Sequence, residues 1–337
     1  MEEQAEDPKT KLFESIDKND IAAVQDLLDT EKVKADCYKD VRNPDVCSLL
    51  LKAGAKLDVS NGIGRTATDL AAFTGQYRCI CVLRNFIPFS DLEKYIISKG
   101  CGSSARLPPE IAALLYELLL SPNVHPVHVV LFLRHHPELR QYRKEVLYVT
   151  EDLMESLIKT SDCNEIMAFK FNIILHTLQE VFKFLEHDGE NASKPDKDKL
   201  LTFAKSLLAV DASGKASHFN NFLIVAIQKF PFKQTVVYQQ IVQETCTSSQ
   251  DDCVPALDAI NELVMGQCMA TKETFCVSCG EPNSRLRCSS CKKDNYCSVE
   301  CQKLHWFVHR RTCLKPSKTR AKDEPLAGQQ LTAKATS

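Results

Sequence analysis

Apolar residues recur at helical spacing along most of the chain. Leu12, Phe13 and Ile16, then Ile21, Val24, Leu27 and Leu28, have the period of two short amphipathic helices, and Asn19-Asp20 between them has the composition of a turn. A second apolar unit begins at Val46 and stops at Ala53-Gly54-Ala55; a third runs from Asn61 through Leu70 and Ala71 to Gly75. Residues 83–102 complete this region, with Pro88 breaking the pattern and Leu92, Tyr95 and Ile96 resuming it, and 100–105 read as a linker. Leu107-Pro108-Pro109 places proline where a first helical turn tolerates it. Residues 109–268 then read almost entirely as helix. Ile111, Leu114, Leu115, Leu118 and Leu119 form one stripe, ended by Ser121-Pro122; 127–133 is a short buried helix stopped by His136-Pro137. Residues 145–158 keep the period, and Asp162-x-x-Glu165 has the form of a capping box opening 166–185. A polar loop over 187–198 precedes helices predicted at 200–210, 219–230, 232–242 and 254–265. No segment alternates as a strand would, so the predicted class is all-α.

After residue 268 the apolar period ends and cysteine takes over. The spacing is Cys276-x2-Cys279-x8-Cys288-x2-Cys291-x5-Cys297-x3-Cys301-x7-His309-x3-Cys313. Seven thiols and one imidazole are the donor set for two tetrahedral zinc ions. A Cys-x2-Cys turn aims two sulfurs at one point, and Cys-x3-Cys and His-x3-Cys pairs share a helix face. So short a segment builds too small a core to offset its chain entropy. Metal then supplies most of its folding free energy, on the order of 10 kcal/mol per structural zinc. A disulfide framework is the alternative, but seven cysteines cannot all pair. With every coordination position filled by protein, the two Zn2+ would be structural rather than catalytic.

Composition narrows the rest. A length of 337 residues suggests two or three domains. With 44% hydrophobic and 26% charged residues and a formal charge of -2, the chain has the make-up of a globular protein without a general pull toward nucleic acid or membrane. The opening MEEQAEDPKT has neither the basic nor the apolar region of an export signal, and the most apolar run, 111–120, is half the length of a bilayer span. The expectation is a cytoplasmic protein that does not span a membrane, with its other nine cysteines as reduced thiols. His125, His128, His135 and His136 lie close in sequence, but Pro126 and Pro137 interrupt them and no cysteine joins them; structural or surface roles are expected. Phe169, Phe171, Phe182, Phe184 and Phe203 are expected in the core. No nucleophile elbow, phosphate loop or dinucleotide fingerprint occurs, so no enzyme activity and no catalytic residue is expected.

Two resemblances sharpen this reading. Leu50-Leu51-Lys52-Ala53-Gly54-Ala55 and Gly64-x-Thr66-Ala67-x-x-Leu70-Ala71-Ala72-x-x-Gly75 resemble the ankyrin repeat. Leu50 to Val82 spans 32 residues, close to the ankyrin period of about 33, whereas Leu27 to Leu50 spans only 23. About two and a half repeats are therefore predicted, the middle one lacking its turn and first helix around 38–45, as a splice form or curtailed gene model would. The eight-ligand block resembles the MYND finger, most specifically in Tyr296-Cys297-Ser298-x-x-Cys301-Gln302-x-x-x-Trp306-x-x-His309. That resemblance implies a cross-braced pairing: Cys276, Cys279, Cys297 and Cys301 on one zinc, and Cys288, Cys291, His309 and Cys313 on the other. His305, four residues from both Cys301 and His309, is a possible substitute ligand. It also implies a groove for proline-rich peptides at Ser289, Gln302 and Trp306. Seven Lys/Arg stand against three acids in 276–313, and seven thiolates with two Zn2+ bring the loaded module near +1, too little for a nucleic-acid reader.

The order implies five segments: a disordered leader (1–9), ankyrin repeats (10–100), a helical domain (105–270), a MYND zinc finger (274–314) and a disordered tail (315–337). Together they resemble the ankyrin-repeat plus MYND zinc-finger adaptor family. That likeness implies a non-enzymatic scaffold which binds proteins, delivers membrane-bound cyclases to primary cilia, and so affects cyclic-nucleotide and Hedgehog signalling. Two alternatives stay open: a nuclear corepressor-type adaptor using the same groove, and a protein lysine methyltransferase, for which the finger's helical neighbours are the wrong context.

Overall fold

The structure, a computed structural model, describes residues 7–30, 42–96, 107–160, 163–186, 195–246, 254–266 and 274–313. The linker at 100–105, the tail at 315–337 and most of the interrupted unit fall outside them, as do Asp162 and most of the polar loop.

Helices α1 (Pro8–Asp17) and α2 (Ile21–Thr30) pair in antiparallel fashion and stack on α3 (Pro44–Lys52) through Leu12, Ile16, Val24, Leu27, Val46 and Leu50. Helix α1 starts inside the stretch expected as a disordered leader, so Pro8 and Lys9 are helical instead. Asp7 caps it by accepting the Lys9 N–H, and Pro8 fits the first turn. Helices α4 (Ala67–Phe73) and α5 (Tyr77–Arg84) pack on α3 through Cys47, Leu51, Ala71, Cys79 and Leu83. Thr66 and Asp69 form a reciprocal capping box at the start of α4.

After α6 (Ser90–Glu93) come α7 (Pro109–Leu120), α8 (Pro126–His135), α9 (Glu138–Gln141), α10 (Arg143–Lys159), α11 (Glu165–Glu186), α12 (Asp196–Leu208), α13 (Ser217–Gln228), α14 (Val236–Cys246) and α15 (Ala256–Met265). One large core joins them, and it extends from Ile87, Leu92 and Tyr95 at the end of the first region to Tyr296 and Leu304 in the last. Helix α11 is its axis: Met167 to Leu178 are all buried, as in a helix enclosed on every side. Phe169, Phe171 and Phe182 lie in this core, and the Phe184 and Phe203 rings meet at 5.3 Å.

Most predicted boundaries move by a few residues, and at three helix starts the local reason is plain. Asp196–Asp198 belong to α12 rather than to a loop, because Pro195 provides the carbonyl for the first turn and two aspartates suit the positive helix N-terminus. Helix α14 begins at Val236 instead of 232. Residues 232–235 form a turn closed by Thr235 N–H to Phe232 O (3.1 Å), and the Glu165 carboxylate accepts the Val237 N–H. At the start of α11 the cap is Asn164, whose side chain accepts the Met167 N–H at 3.1 Å. The only named strands among the described residues, β1 (Leu286–Arg287) and β2 (Asn295–Tyr296), are two residues each, too short to leave an alternation in the sequence. No helix among the described residues is long and apolar enough to cross a membrane.

The junction between α5, α11 and α15 holds an odd polar seam. Asn85 donates to the carbonyls of Cys81 (2.8 Å) and Val264 (3.2 Å), tying the first region to α15. Lys170 on α11 is fully buried beside it, and its Nζ has no hydrogen-bond partner.

Candidate metal centre

Two turns of the same kind build the start of the site. In Cys276–Cys279 the N–H of Gly280 donates to Cys276 O (2.8 Å), and in Cys288–Cys291 the N–H of Lys292 donates to Cys288 O (2.9 Å). Each closing residue has positive φ, 73° at Gly280 and 57° at Lys292. Lysine tolerates the strain on an exposed turn. Gly280 has no such latitude, since a Cβ there would meet Asn123 Oδ1 and His125 Cβ at 3.1 Å. The hairpin of β1 and β2 holds the knuckles in register, pairing Leu286 with Tyr296 and Arg287 with Asn295. Helix α16 (Val299–His309) follows, capped by Ser298, whose hydroxyl accepts the Cys301 N–H at 3.1 Å. Its inner face carries Cys301, Leu304 and His309; Ser278 anchors it by donating to Cys301 O at 2.8 Å.

The eight donors gather into two groups, Cys276 with Cys279, Cys297 and Cys301, and Cys288 with Cys291, His309 and Cys313. In the first, sulfurs approach at 3.5 Å (Cys279–Cys297 and Cys297–Cys301) and 3.6 Å (Cys279–Cys301). In the second, Cys288 and Cys313 stand 3.7 Å apart, and His309 Nε2 lies 3.5 Å from Cys291 Sγ. A tetrahedron with Zn–S bonds of about 2.3 Å has edges of about 3.8 Å, and a mixed S–N edge is about 3.6 Å. Both groups fit a zinc ion. The same separations are far longer than the roughly 2 Å of a disulfide bond. Packed this closely, the thiols share protons unequally: the hydrogen bond with Cys276 pushes both Cys279 and Cys301 far above the ordinary thiol range. Hydrogen bonds from Cys279, Cys297 and Cys301 pull Cys276 far below the ordinary thiol range, and the Cys291 and Ser290 amides bring Cys288 down to about 6. His305, the alternative ligand, lies apart from the sulfurs, with its Nδ1 3.2 Å from the Tyr296 hydroxyl.

The finger does not hang free. Asn123 donates to Cys279 O (2.9 Å) and to the Glu281 carboxylate (3.2 Å), and His128 Nδ1 lies 3.4 Å from Glu281. Glu300 on α16 pairs with Arg134 and with His135 Nε2 (3.0 Å) on α8. His125 is buried, its Nδ1 accepting the Val127 N–H (3.1 Å) and its ring tilted against that of Phe219 at 4.9 Å; burial pushes its pKa down to about 3. The fourth histidine, His136, packs on Phe132 at 4.4 Å. Three of the four thus build the seat of the finger or bind it. Nothing in the sequence marks Asn123, Glu281 or Glu300, whose partners lie more than 150 residues away. Of the groove residues, Ser289 is exposed on the second knuckle, while Gln302 and Trp306 lie one turn apart on α16. Trp306 is 46% exposed, and its ring rests 5.9 Å from that of His309.

Gly280→Ala tests this seat. It should cost about 1–3 kcal/mol through the left-handed turn and the tight contact with His125. Calorimetry should show a lowered midpoint while native mass spectrometry still counts the same metal load.

Residues 276–313 match the MYND finger family. Over most of its length, the chain is similar to Dauer abnormal formation protein 25 of Caenorhabditis elegans, 30% identical in an alignment that covers 91% of each protein. The chain belongs to that protein's family. A second likeness, to Tudor domain-containing protein 1 of Oryzias latipes, is 49% identical over 39 residues, 12% of this chain and 3% of that protein. It is the length of one module and carries no shared architecture. No solved structure matches the chain. A MYND finger mediates protein–protein interaction, and the family likeness together with this module suggests an adaptor.

Proposed function

We propose that the protein is a non-enzymatic adaptor whose MYND finger holds two structural Zn2+ ions, one on Cys276, Cys279, Cys297 and Cys301 and the other on Cys288, Cys291, His309 and Cys313. It presents Ser289, Gln302 and Trp306 to proline-rich peptide segments of partner proteins. The observation that carries the reading is the pair of four-donor groups at tetrahedral spacing with a half-exposed tryptophan on the same helix. All four positions of each ion are filled from the chain, which leaves no place for a reacting water. A polyproline II segment has little conformational entropy to lose, and an exposed indole offers it a flat apolar face. We read α1 to α5 as a short ankyrin-type array, supported by the helix pairs and by the positive φ at Gly54 (96°) and Gly75 (70°) where helices end. In this family context the partners extend to membrane-bound cyclases, and the site of action to the cytoplasm and cilium.

Trp306→Ala should retain two zincs by native mass spectrometry and lose proline-rich peptide binding by at least about tenfold in calorimetry, since an exposed aromatic anchor contributes about 2 kcal/mol or more. Unchanged affinity would remove the groove from this face. Loss of zinc would instead show that the indole is needed for folding.

A further inference from the structure

Asp294 lies between the two strands and the second donor group, and nothing in its sequence context marks it. Its backbone carbonyl accepts the N–H of Cys288 at 3.1 Å. Its side chain places Oδ2 2.7 Å from His309 Nδ1, in a pocket where the His309 side chain is only 4% exposed. The other nitrogen of that ring, Nε2, faces Cys291 Sγ at 3.5 Å. One residue therefore touches two of the four donors that would hold the second ion, one through its main chain and one through its side chain.

We propose that Asp294 is the positioning residue of the second metal site, an inference that rests on the zinc assignment above. The carboxylate takes the Nδ1–H of His309 and so fixes the tautomer whose Nε2 lone pair points at the cation. It also locks the ring against rotation and makes the imidazole a better donor. Tyr296 and His305 support it from the side: the Tyr296 ring meets His309 edge-on at 6.4 Å, and the His305 ring stacks on it at 5.9 Å. The Cys276 group has four thiolates and no imidazole, so Asp294 should matter to one ion only.

The test uses the full-length zinc-loaded protein and a chromogenic chelator, with native mass spectrometry to count ions. In Asp294→Ala one of the two zincs should bind about 10- to 100-fold more weakly while the other is unchanged, and Asp294→Asn should fall between. With His309→Cys there is no ring to orient, and adding Asp294→Ala should then change zinc affinity little. Nitrogen-15 spectra of the imidazoles give an independent reading: the His309 Nδ1–H signal should move in Asp294→Ala with Nε2 still metal-bound. Equal weakening of both ions, or the same loss in the His309→Cys background, would overturn the positioning role and leave Asp294 a backbone element of the turn. A wild-type protein that binds fewer than two zincs would instead overturn the underlying metal assignment.

Discussion

Cys276→Ser, or stripping zinc with a chelator, will unfold residues 276–313 and will also lower the melting midpoint of the helices from α7 to α15. The first effect follows from size. The finger's own core is a few side chains around Tyr296 and Leu304, and each structural zinc contributes on the order of 10 kcal/mol to such a fold. The second follows from continuity. The sulfurs, Tyr296 and Leu304 belong to the same core as α7 to α15, and Asn123, His128, Arg134 and His135 lose their partners when the finger goes. A finger on a free tether would leave the body's helical signal and midpoint untouched, so circular dichroism during titration with chelator separates the two cases. Trp306 fluorescence reports the finger itself, since this is the one tryptophan in the chain.

Lys170→Met should stabilise the protein at neutral pH by up to a few kcal/mol. The Lys170 amine is fully buried near Cys81 without a hydrogen-bond partner among the described residues, and burial brings its pKa down to about 7. In the unfolded chain the value is about 10.4. Between those limits the unfolded state holds a proton that the folded state does not, so wild-type stability rises as pH climbs from about 7 toward 10 and is lost again as pH falls back. The shift of roughly three units sets an upper bound of about 4–5 kcal/mol. Methionine has a similar shape and no charge, so the variant lacks this slope. Guanidinium unfolding at pH 7 and pH 9.5 reads both proteins. The variant should lead at pH 7, and the gap should shrink at pH 9.5. A constant gap, or none, would contradict the buried amine as its source.

Helical periodicity reveals most of α7 to α15, because all of these helices but α11 hide chiefly one face and the apolar period records that face directly. Element ends are less visible. Thr235 and Glu165 set the start of α14 through hydrogen bonds, and one of those partners lies 72 residues away. The zinc donors are legible because their chemistry imposes local spacing. The seat beneath them is not. Four histidines in 125–136 stand out, but Glu281 and Glu300, which meet two of them, look like ordinary surface acids. Asp294 is hidden for the same reason: its role depends on how the His309 ring is turned. Lys170 breaks no pattern either, since one lysine in an amphipathic helix normally faces water, and only the enclosure of α11 on every side makes it an exception.

Hydrogen–deuterium exchange on the intact chain, with and without a zinc chelator, tests the docked, zinc-held finger most directly. A finger fastened on its seat predicts that chelation exposes amides in 276–313 and, with them, those of 121–135 and of α12, which packs against α16. Exchange confined to 276–313, with 121–135 and α12 as protected as before, would contradict it.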